Sequence, residues 1–508
     1  MGIWGGLMGL SSIPILGFQF FFILGLLGFF FCAEQKTFQH HASFAMGCLG
    51  FGYFLIALHW IPCALHVNWA QYFYLLPFAL LGLPLLFGFY YALWSWCLPW
   101  YRFQGFLKIF LFIVMWVTLE IIRAELFTGF PWALLGTMWA PILPIAQLVA
   151  WIGPYGLSGL TLAWGLTFYI CLSPTYHRWK KILYTTVMLL SLGGSWFYGV
   201  GRLSSVPTTP SSFRLRLVQP NLSQKGTWNK ARLHQTLHEL ISLSTSTKSK
   251  IVLWPESALP LAPQLYPGMI ALIRQAIPKG GVLLTNGLFY TAASQNSRGF
   301  NVHNAVLAIN DQGDLLGLYA KHRLLPFGEY IPFRMIVDKI FPGLIHKMSG
   351  GIGDFSKGPG PQVLAVPCGP PVLPMVCHEA IFSGAFHASH TREAQWILSL
   401  TNDGWFLNSL GPYQHFEMAR MRAIEMGLPL IRVANTGISA VVDPLGRVEA
   451  KIPYGVRDAV DVTLPQFLKE PPFYRRMVEK DFYSFLVMIM GGFVILRIFL
   501  FLLRKRKS

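Results

Sequence analysis

The sequence predicts a polytopic α-helical membrane bundle joined to one α/β domain, and three observations carry that prediction. The 508 residues are 54% hydrophobic and only 12% charged, with a mean hydropathy of +0.47. Apolar blocks run over 13–33, 43–65, 71–97, 105–123, 145–173, 182–201 and 481–503, and about 20 apolar residues suffice to cross a bilayer. Between the last two blocks the chain turns to ordinary polar content with regular turn signals. The expected division is a helix bundle over 1–204, an α/β domain over 205–480, and a closing helix with a basic tail over 481–508.

The first block has no basic leader and no small-residue cleavage site after it, so it reads as a retained helix rather than a signal peptide. A net charge of +18 raises nucleic acid as a partner. The chain shows no nucleic-acid motif and no basic–aromatic ladder, which argues against that class. The basic residues read instead as loop charges held on the cytoplasmic side, beside anionic lipid. Lys36, Arg102, Lys108, Arg178, Lys180, Lys181 and the tail at 504–507 all fall on one side by this count. The α/β domain then faces outward, which in a bacterium is the periplasmic face of the inner membrane. Within block 105–123, Glu120 and Arg123 lie three residues apart on one helical face and are expected to neutralise each other and pin helices.

In the α/β domain, strands are expected at 213–218, 251–254, 282–285, 315–319, 372–376, 396–400 and 430–433, with helices at 230–242 and 413–425. Three chemically capable residues follow strand ends: Glu256, Lys321 and Cys377. Sites in open α/β sheets gather beyond the carboxyl ends of the strands, so distant residues can converge there.

Each residue also has a plainer reading. Cys377 alone is more often an inert buried thiol, Glu256 a helix-capping charge, and Lys321 a solvated lysine. Together they form a constellation: a nucleophile, a base to take its proton, and an ammonium to hold an oxyanion. Of seven cysteines, Cys368 and Cys377 lie in this domain, and a disulfide between them stays open as a reading. No CxxC or Cys/His zinc spacing occurs, so no metal site is expected.

Glu, Lys and Cys in this order resembles the nitrilase, or carbon–nitrogen hydrolase, superfamily, whose domain is an αββα sandwich. The resemblance spans roughly 214–464. More specifically, the flanking segments resemble the apolipoprotein N-acyltransferase family. They are Trp254-Pro255-Glu256-Ser257, Pro326-Phe327-Gly328-Glu329-Tyr330, Asn402-Asp403-Gly404-Trp405-Phe406, Gln414-His415-Phe416, Asn435-Thr436-Gly437 and, in the bundle, Thr128-Gly129-Phe130-Pro131-Trp132.

The resemblance implies Glu256 as general base, Lys321 as oxyanion stabiliser and Cys377 as acylated nucleophile. It implies supporting roles for Glu329 and Glu379, and substrate-facing roles for Trp228 and Trp405. His378 stands where the family pattern has tyrosine. The implied partners are a phospholipid acyl donor, the diacylglyceryl-cysteine terminus of an apolipoprotein, and membrane lipid, with a monomeric chain and no cofactor. Two other readings compete. One is a membrane-anchored amidase using water as acceptor. The other is a transporter with an inert domain, which the lack of an inverted repeat disfavours.

Overall fold

A computed structural model describes residues 1–223, 230–259, 262–292, 299–340, 354–386 and 391–478. It divides into two units. One holds Met1–Pro207 with Ser409–Met426 and the stretch from Glu470; the other holds Thr208–Asn408 and Gly427–Lys469.

The first unit is helical. Among the described residues, three helices are long and apolar enough to cross a membrane: Phe73–Cys97, Gly105–Glu125 and Val149–Leu172. The apolar helix Gln19–Ala33 is shorter. The blocks at 43–65 and 182–201 also meet helices, Lys36–Ala57 and Arg178–Ser205, whose histidines, glycines and hydroxyls dilute their hydropathy. The block at 481–503 and the basic tail lie outside the described residues.

Small residues set the helix packing. A Cβ on Gly5 would sit 2.0 Å from the Leu49 carbonyl oxygen, and one on Gly52 would sit 2.0 Å from that of Gly2. Helices Gly2–Leu10 and Lys36–Ala57 therefore meet backbone to backbone, a contact apolar lipid rewards through dispersion.

Glu120 and Arg123 are near enough to act on each other's charge, as the sequence leads one to expect, but their hydrogen bonds go elsewhere. Among the described residues they form no ion pair with each other; each turns to the loop that follows their helix. Glu120 Oε1 accepts from Leu135 N at 2.9 Å and from Trp116 Nε1 at 3.2 Å. Arg123 Nη1 donates to the carbonyls of Phe130 at 2.5 Å and Trp132 at 2.7 Å. The loop turns through Gly129 at φ +80°, so its backbone groups have few helical partners; Arg123 supplies donors to its carbonyls and Glu120 an acceptor to the Leu135 N–H. Trp132 so held donates to Gln414 Oε1 at 2.8 Å, as Trp60 does at 2.9 Å, and Gln414 Nε2 donates to the Ser12 carbonyl at 3.1 Å.

The second unit contains two sheets. Its strands in chain order are β1 (Pro210–Gln219), β2 (Ile251–Leu253), β3 (Val282–Ala292), β4 (Phe300–Asn310), β5 (Leu315–Ala320), β6 (Val372–Val376), β7 (Trp396–Thr401), β8 (Leu430–Ala434), β9 (Ser439–Val442), β10 (Val448–Ile452) and β11 (Asp458–Pro465). One sheet runs β11-β1-β2-β3-β4-β5 and the other β10-β9-β8-β7-β6. β1, β2 and β3 are parallel, as are β6, β7 and β8.

Every residue of β6, β7 and β8 is buried, as continuous apolar parallel strands require. Helix Lys230–Ser244 lays Leu237, Leu240 and Ile241 against Val218, Val252 and Leu283 of the first sheet. The two-sheet α/β architecture agrees with the nitrilase-like sandwich expected from the sequence.

Candidate active site

Strand ends deliver the three reactive side chains. Glu256 lies three residues past β2, Lys321 directly after β5, and Cys377 directly after β6. β5 follows two antiparallel reversals from β3, so it runs the same way as β2 and its carboxyl end lies on the same edge. The three residues do converge. Lys321 Nζ lies 3.9 Å from Glu256 Oε1, and the Glu256 carboxyl and the Cys377 thiol are near enough to shift each other's ionisation.

Cys377 has φ +52°, in the left-handed region that a β-carbon resists. The chain tolerates this because β6 fixes the residues before Cys377 and a one-turn helix, Cys377–Ile381, fixes those after it. Backbone strain of this kind gathers at functional sites, and Cys377 is half-buried where its neighbours are buried.

Glu329 completes the lysine's surroundings. Lys321 Nζ donates to Glu329 Oε1 at 2.9 Å, and Leu325 N donates to Glu329 Oε2 at 2.9 Å. Asn304, in the middle of β4, donates from Nδ2 to Glu329 Oε1 at 2.8 Å and to Glu256 Oε1 at 3.3 Å. Asn286 in turn donates to Asn304 Oδ1 at 2.6 Å and accepts from Ser257 N at 2.8 Å. One buried ammonium thus lies among two carboxylates held in place by asparagines.

The electrostatics follow from burial. Burial raises the Glu256 carboxyl above the usual carboxylate range, with Lys321 opposing and Glu329 adding to the shift. Burial also pushes the Cys377 thiol well up, and the Glu256 charge adds to this while Lys321 opposes it. For Lys321 burial favours loss of the proton, but the charges of Glu329 and Glu256 outweigh it and hold the ammonium well above the ordinary lysine value. The resting site is an ammonium beside a protonated thiol and the Glu256 carboxyl, so the thiol ionises by handing its proton to Glu256.

Glu379 ties two strand ends together. Its Oε2 accepts from Val376 N at 2.8 Å, just before the thiol. Its Oε1 accepts from His322 N at 3.0 Å and Arg323 N at 3.1 Å, just after the lysine. Tyr319 Oη donates to the same carboxylate at 2.9 Å, and His322 Nδ1 lies 2.9 Å from it. Burial opposes the charge of Glu379, yet His322, Lys321 and the backbone N–H groups hold its carboxyl below the usual range.

A carboxyl whose folded pKa is depressed contributes stability above the unfolded value of about 4.3 and loses it as pH falls through the folded pKa. Glu379→Ala leaves these donors unmatched, so an expected loss of about 3–5 kcal/mol follows. Thermal melts at neutral pH check it. The difference between the variant and the parent is expected to shrink below pH about 4.

Of the remaining sequence candidates, His378 is buried with its ring 5.8 Å from that of Phe382. Trp405 is partly buried in the turn Asp403–Phe406 that follows β7. Trp228 lies outside the described residues. Before the undescribed stretch, Leu222 N donates to Asn435 Oδ1 at 2.9 Å and Asn435 Nδ2 donates to Asn402 Oδ1 at 3.2 Å.

Sequence reasoning did not single out Asn286, Asn304, Thr401 or the buried pair Asp403–Arg432 as site residues. The available signal was a polar residue inside an otherwise apolar strand, as in Asn304-Ala305-Val306-Leu307.

A carbon-nitrogen hydrolase family profile matches residues 214–466, and an apolipoprotein N-acyltransferase N-terminal domain profile matches residues 5–167. The chain is 35% identical to an apolipoprotein N-acyltransferase of Rhodopseudomonas palustris, over 92% of this chain and 86% of that one. It is 30% identical to that of Rickettsia prowazekii, over 97% of this chain and 96% of the relative. Among solved structures, it is similar at 16% identity to a Nesterenkonia AN1 amidase from the nitrilase superfamily, with a TM-score of 0.39 over 55% of this chain and 98% of that one. Identity at this level across nearly the whole chain, in both units, shows that it belongs to the apolipoprotein N-acyltransferase family.

Proposed function

We propose that this membrane-bound enzyme moves a fatty acyl chain from a phospholipid to the N-terminal α-amine of a diacylglyceryl-cysteine lipoprotein, through a thioester on Cys377. The observation that carries the reading is the Glu256–Lys321–Cys377 constellation in a chain with membrane-spanning helices and this family's match along both parts.

In the first half-reaction Glu256 takes the thiol proton and the Cys377 sulfur attacks the ester carbonyl. Lys321 Nζ holds the oxyanion while the C–O bond breaks, and Glu256 returns the proton to the departing lysophospholipid alkoxide. In the second, the lipoprotein amine attacks the thioester carbonyl. Glu256 takes the amine proton, the C–S bond breaks, and the proton passes to the sulfur as the amide is released. Each buried CH₂ is worth about 0.8 kcal/mol, so diacyl substrates stay in the bilayer and a membrane-anchored site must meet them there.

The basic loop residues support a catalytic domain on the periplasmic face of the inner membrane. Glu256, Lys321 and Cys377 come from one chain, which suits a monomer. Glu329 and Glu379 fix the lysine and the two strand ends. His378 lies beside the nucleophile, Trp405 in the turn after β7 shields the thioester from water, and Trp228 keeps the substrate-facing role that the resemblance implies.

The test is a purified-enzyme assay with acyl-labelled phospholipid vesicles and a diacylglyceryl-cysteine peptide bearing a free amine. Label in the peptide as an amide is the expected product. Label released as free fatty acid at the same rate with and without peptide would instead establish a hydrolase. The pH profile is expected to follow the site's charges. The acylation rate falls as pH drops through the raised Glu256 carboxyl, above the ordinary value of about 4.3. It shows no alkaline loss up to pH about 10, because Lys321 keeps its proton past the ordinary lysine value. An alkaline limb near pH 8 in single-turnover acylation contradicts this assignment.

A further inference from the structure

The nucleophile has a second neighbour that the scheme above does not use. In the parallel pairing of β6 with β7, Val376 lies opposite Leu400, so the next positions, Cys377 and Thr401, are neighbours at the sheet edge. The Thr401 side chain acts on the Cys377 sulfur in the sense of a donor, favouring the thiolate. The same hydroxyl donates to Asp403 Oδ1 at 3.1 Å. Asp403 is held independently, since Arg432 Nη2 lies 3.1 Å from Oδ1 and 2.8 Å from Oδ2. Thr401, Asp403 and Arg432 are all fully buried. Asn435 N donates to the Thr401 carbonyl at 3.0 Å and fixes the backbone that carries the hydroxyl.

A hydroxyl has one proton and two lone pairs. While Cys377 is a thiol, the Thr401 proton is directed to Asp403. Once Glu256 has taken the thiol proton, the sulfur is an anion in a buried site and needs donors. Rotation about the Thr401 Cβ–Oγ1 bond turns the hydroxyl proton from Asp403 to the sulfur. Asp403 tolerates the exchange because Arg432 continues to bond both of its oxygens.

We infer that Thr401 is a further catalytic residue, whose hydroxyl alternates between the buried Asp403–Arg432 pair and the Cys377 thiolate as the thiolate forms. No proton leaves Thr401; one hydrogen bond is exchanged for another. The thiolate forms when the ester is attacked and again when the thioester breaks, so the hydroxyl acts in both half-reactions. The burial that raises the Cys377 thiol is the reason such a donor matters here.

The inference rests on Cys377 being the acylated nucleophile, and paired substitutions separate the two. Thr401→Val keeps the shape and loses the hydroxyl; Thr401→Ser keeps the hydroxyl and loses a methyl group. Two rates are measured: acyl-adduct formation by intact mass in a single turnover, and iodoacetamide labelling of Cys377 without lipid. Thr401→Val is expected to lower both about 10- to 100-fold, the worth of a hydrogen bond to a charged group. Thr401→Ser is expected to stay within about threefold of the parent, with melting temperature recorded for each.

If the residue only packs, the order reverses, and valine is neutral while serine is worse. That reversal, or equal rates for valine and the parent, overturns the inference. If Thr401→Val does not fold, Thr401→Ala set against Thr401→Ser makes the same comparison. A parent protein that neither labels nor acylates at Cys377 overturns the nucleophile assignment itself.

Discussion

Cys377→Ala abolishes transfer. Removing a catalytic nucleophile from a preorganised site costs about 10⁶-fold in turnover, because the remaining groups act as a unit with it. In the variant, Glu256 has no proton to take and Lys321 no oxyanion to hold. Acyl transfer to a labelled lipopeptide is the measurement, with phospholipid binding to vesicle-embedded protein as the control. Binding is expected to persist, since the site's charged groups and the membrane helices are untouched. Residual transfer above about 1% of the parent would place the nucleophile elsewhere.

Lys321→Met is the second large effect, and it acts in two ways. Loss of an oxyanion donor costs about 10²- to 10³-fold in rate. The substitution also strips Glu256 and Glu329 of the ammonium they share, Glu329 at 2.9 Å and Glu256 at 3.9 Å. Without the ammonium, burial and the Glu329 charge act unopposed to raise Glu256, so the base holds its proton to higher pH. The combined loss is expected to exceed about 10⁴-fold, with about 3–5 kcal/mol of stability lost from the broken buried pair. Lys321→Met combined with Glu329→Gln separates the two effects. The double variant is expected to regain much of the melting temperature and little of the rate. A double variant as active as the parent would remove Lys321 from the chemistry.

The catalytic three were legible because each stands at a sharp change from apolar strand to polar turn. Residues 251–254, 315–319 and 372–376 end within one or two positions of the observed β2, β5 and β6. Order along the chain then matched the resemblance, and the strand directions bring Glu256 and Lys321 to one edge of the first sheet, with Cys377 at the end of β6 in the second.

The support was less legible. β4 carries His303 and Asn304 in its middle, which breaks the apolar run that marks a buried strand, so the strand and its asparagine went unread together. Strands β10 and β11 are largely exposed or half-buried along their length, which weakens the same signal. The Asp403–Arg432 pair joins residues 29 positions apart, a contact that no local pattern records.

In the bundle, Glu120 and Arg123 at helical spacing suggested a pair. The loop that captures both side chains is set by Gly129 and by carbonyls whose direction only the folded chain fixes.

The central claim is a thioester on Cys377, and intact mass tests it most directly. Purified protein is incubated with phospholipid vesicles and no acceptor, digested, mapped, and then given an amine-bearing lipopeptide. The account predicts a gain of one acyl chain per protein, located at Cys377, labile to neutral hydroxylamine, and lost as the peptide gains the same mass in amide linkage. A parent protein that transfers acyl chains while Cys377 stays unmodified throughout would contradict it.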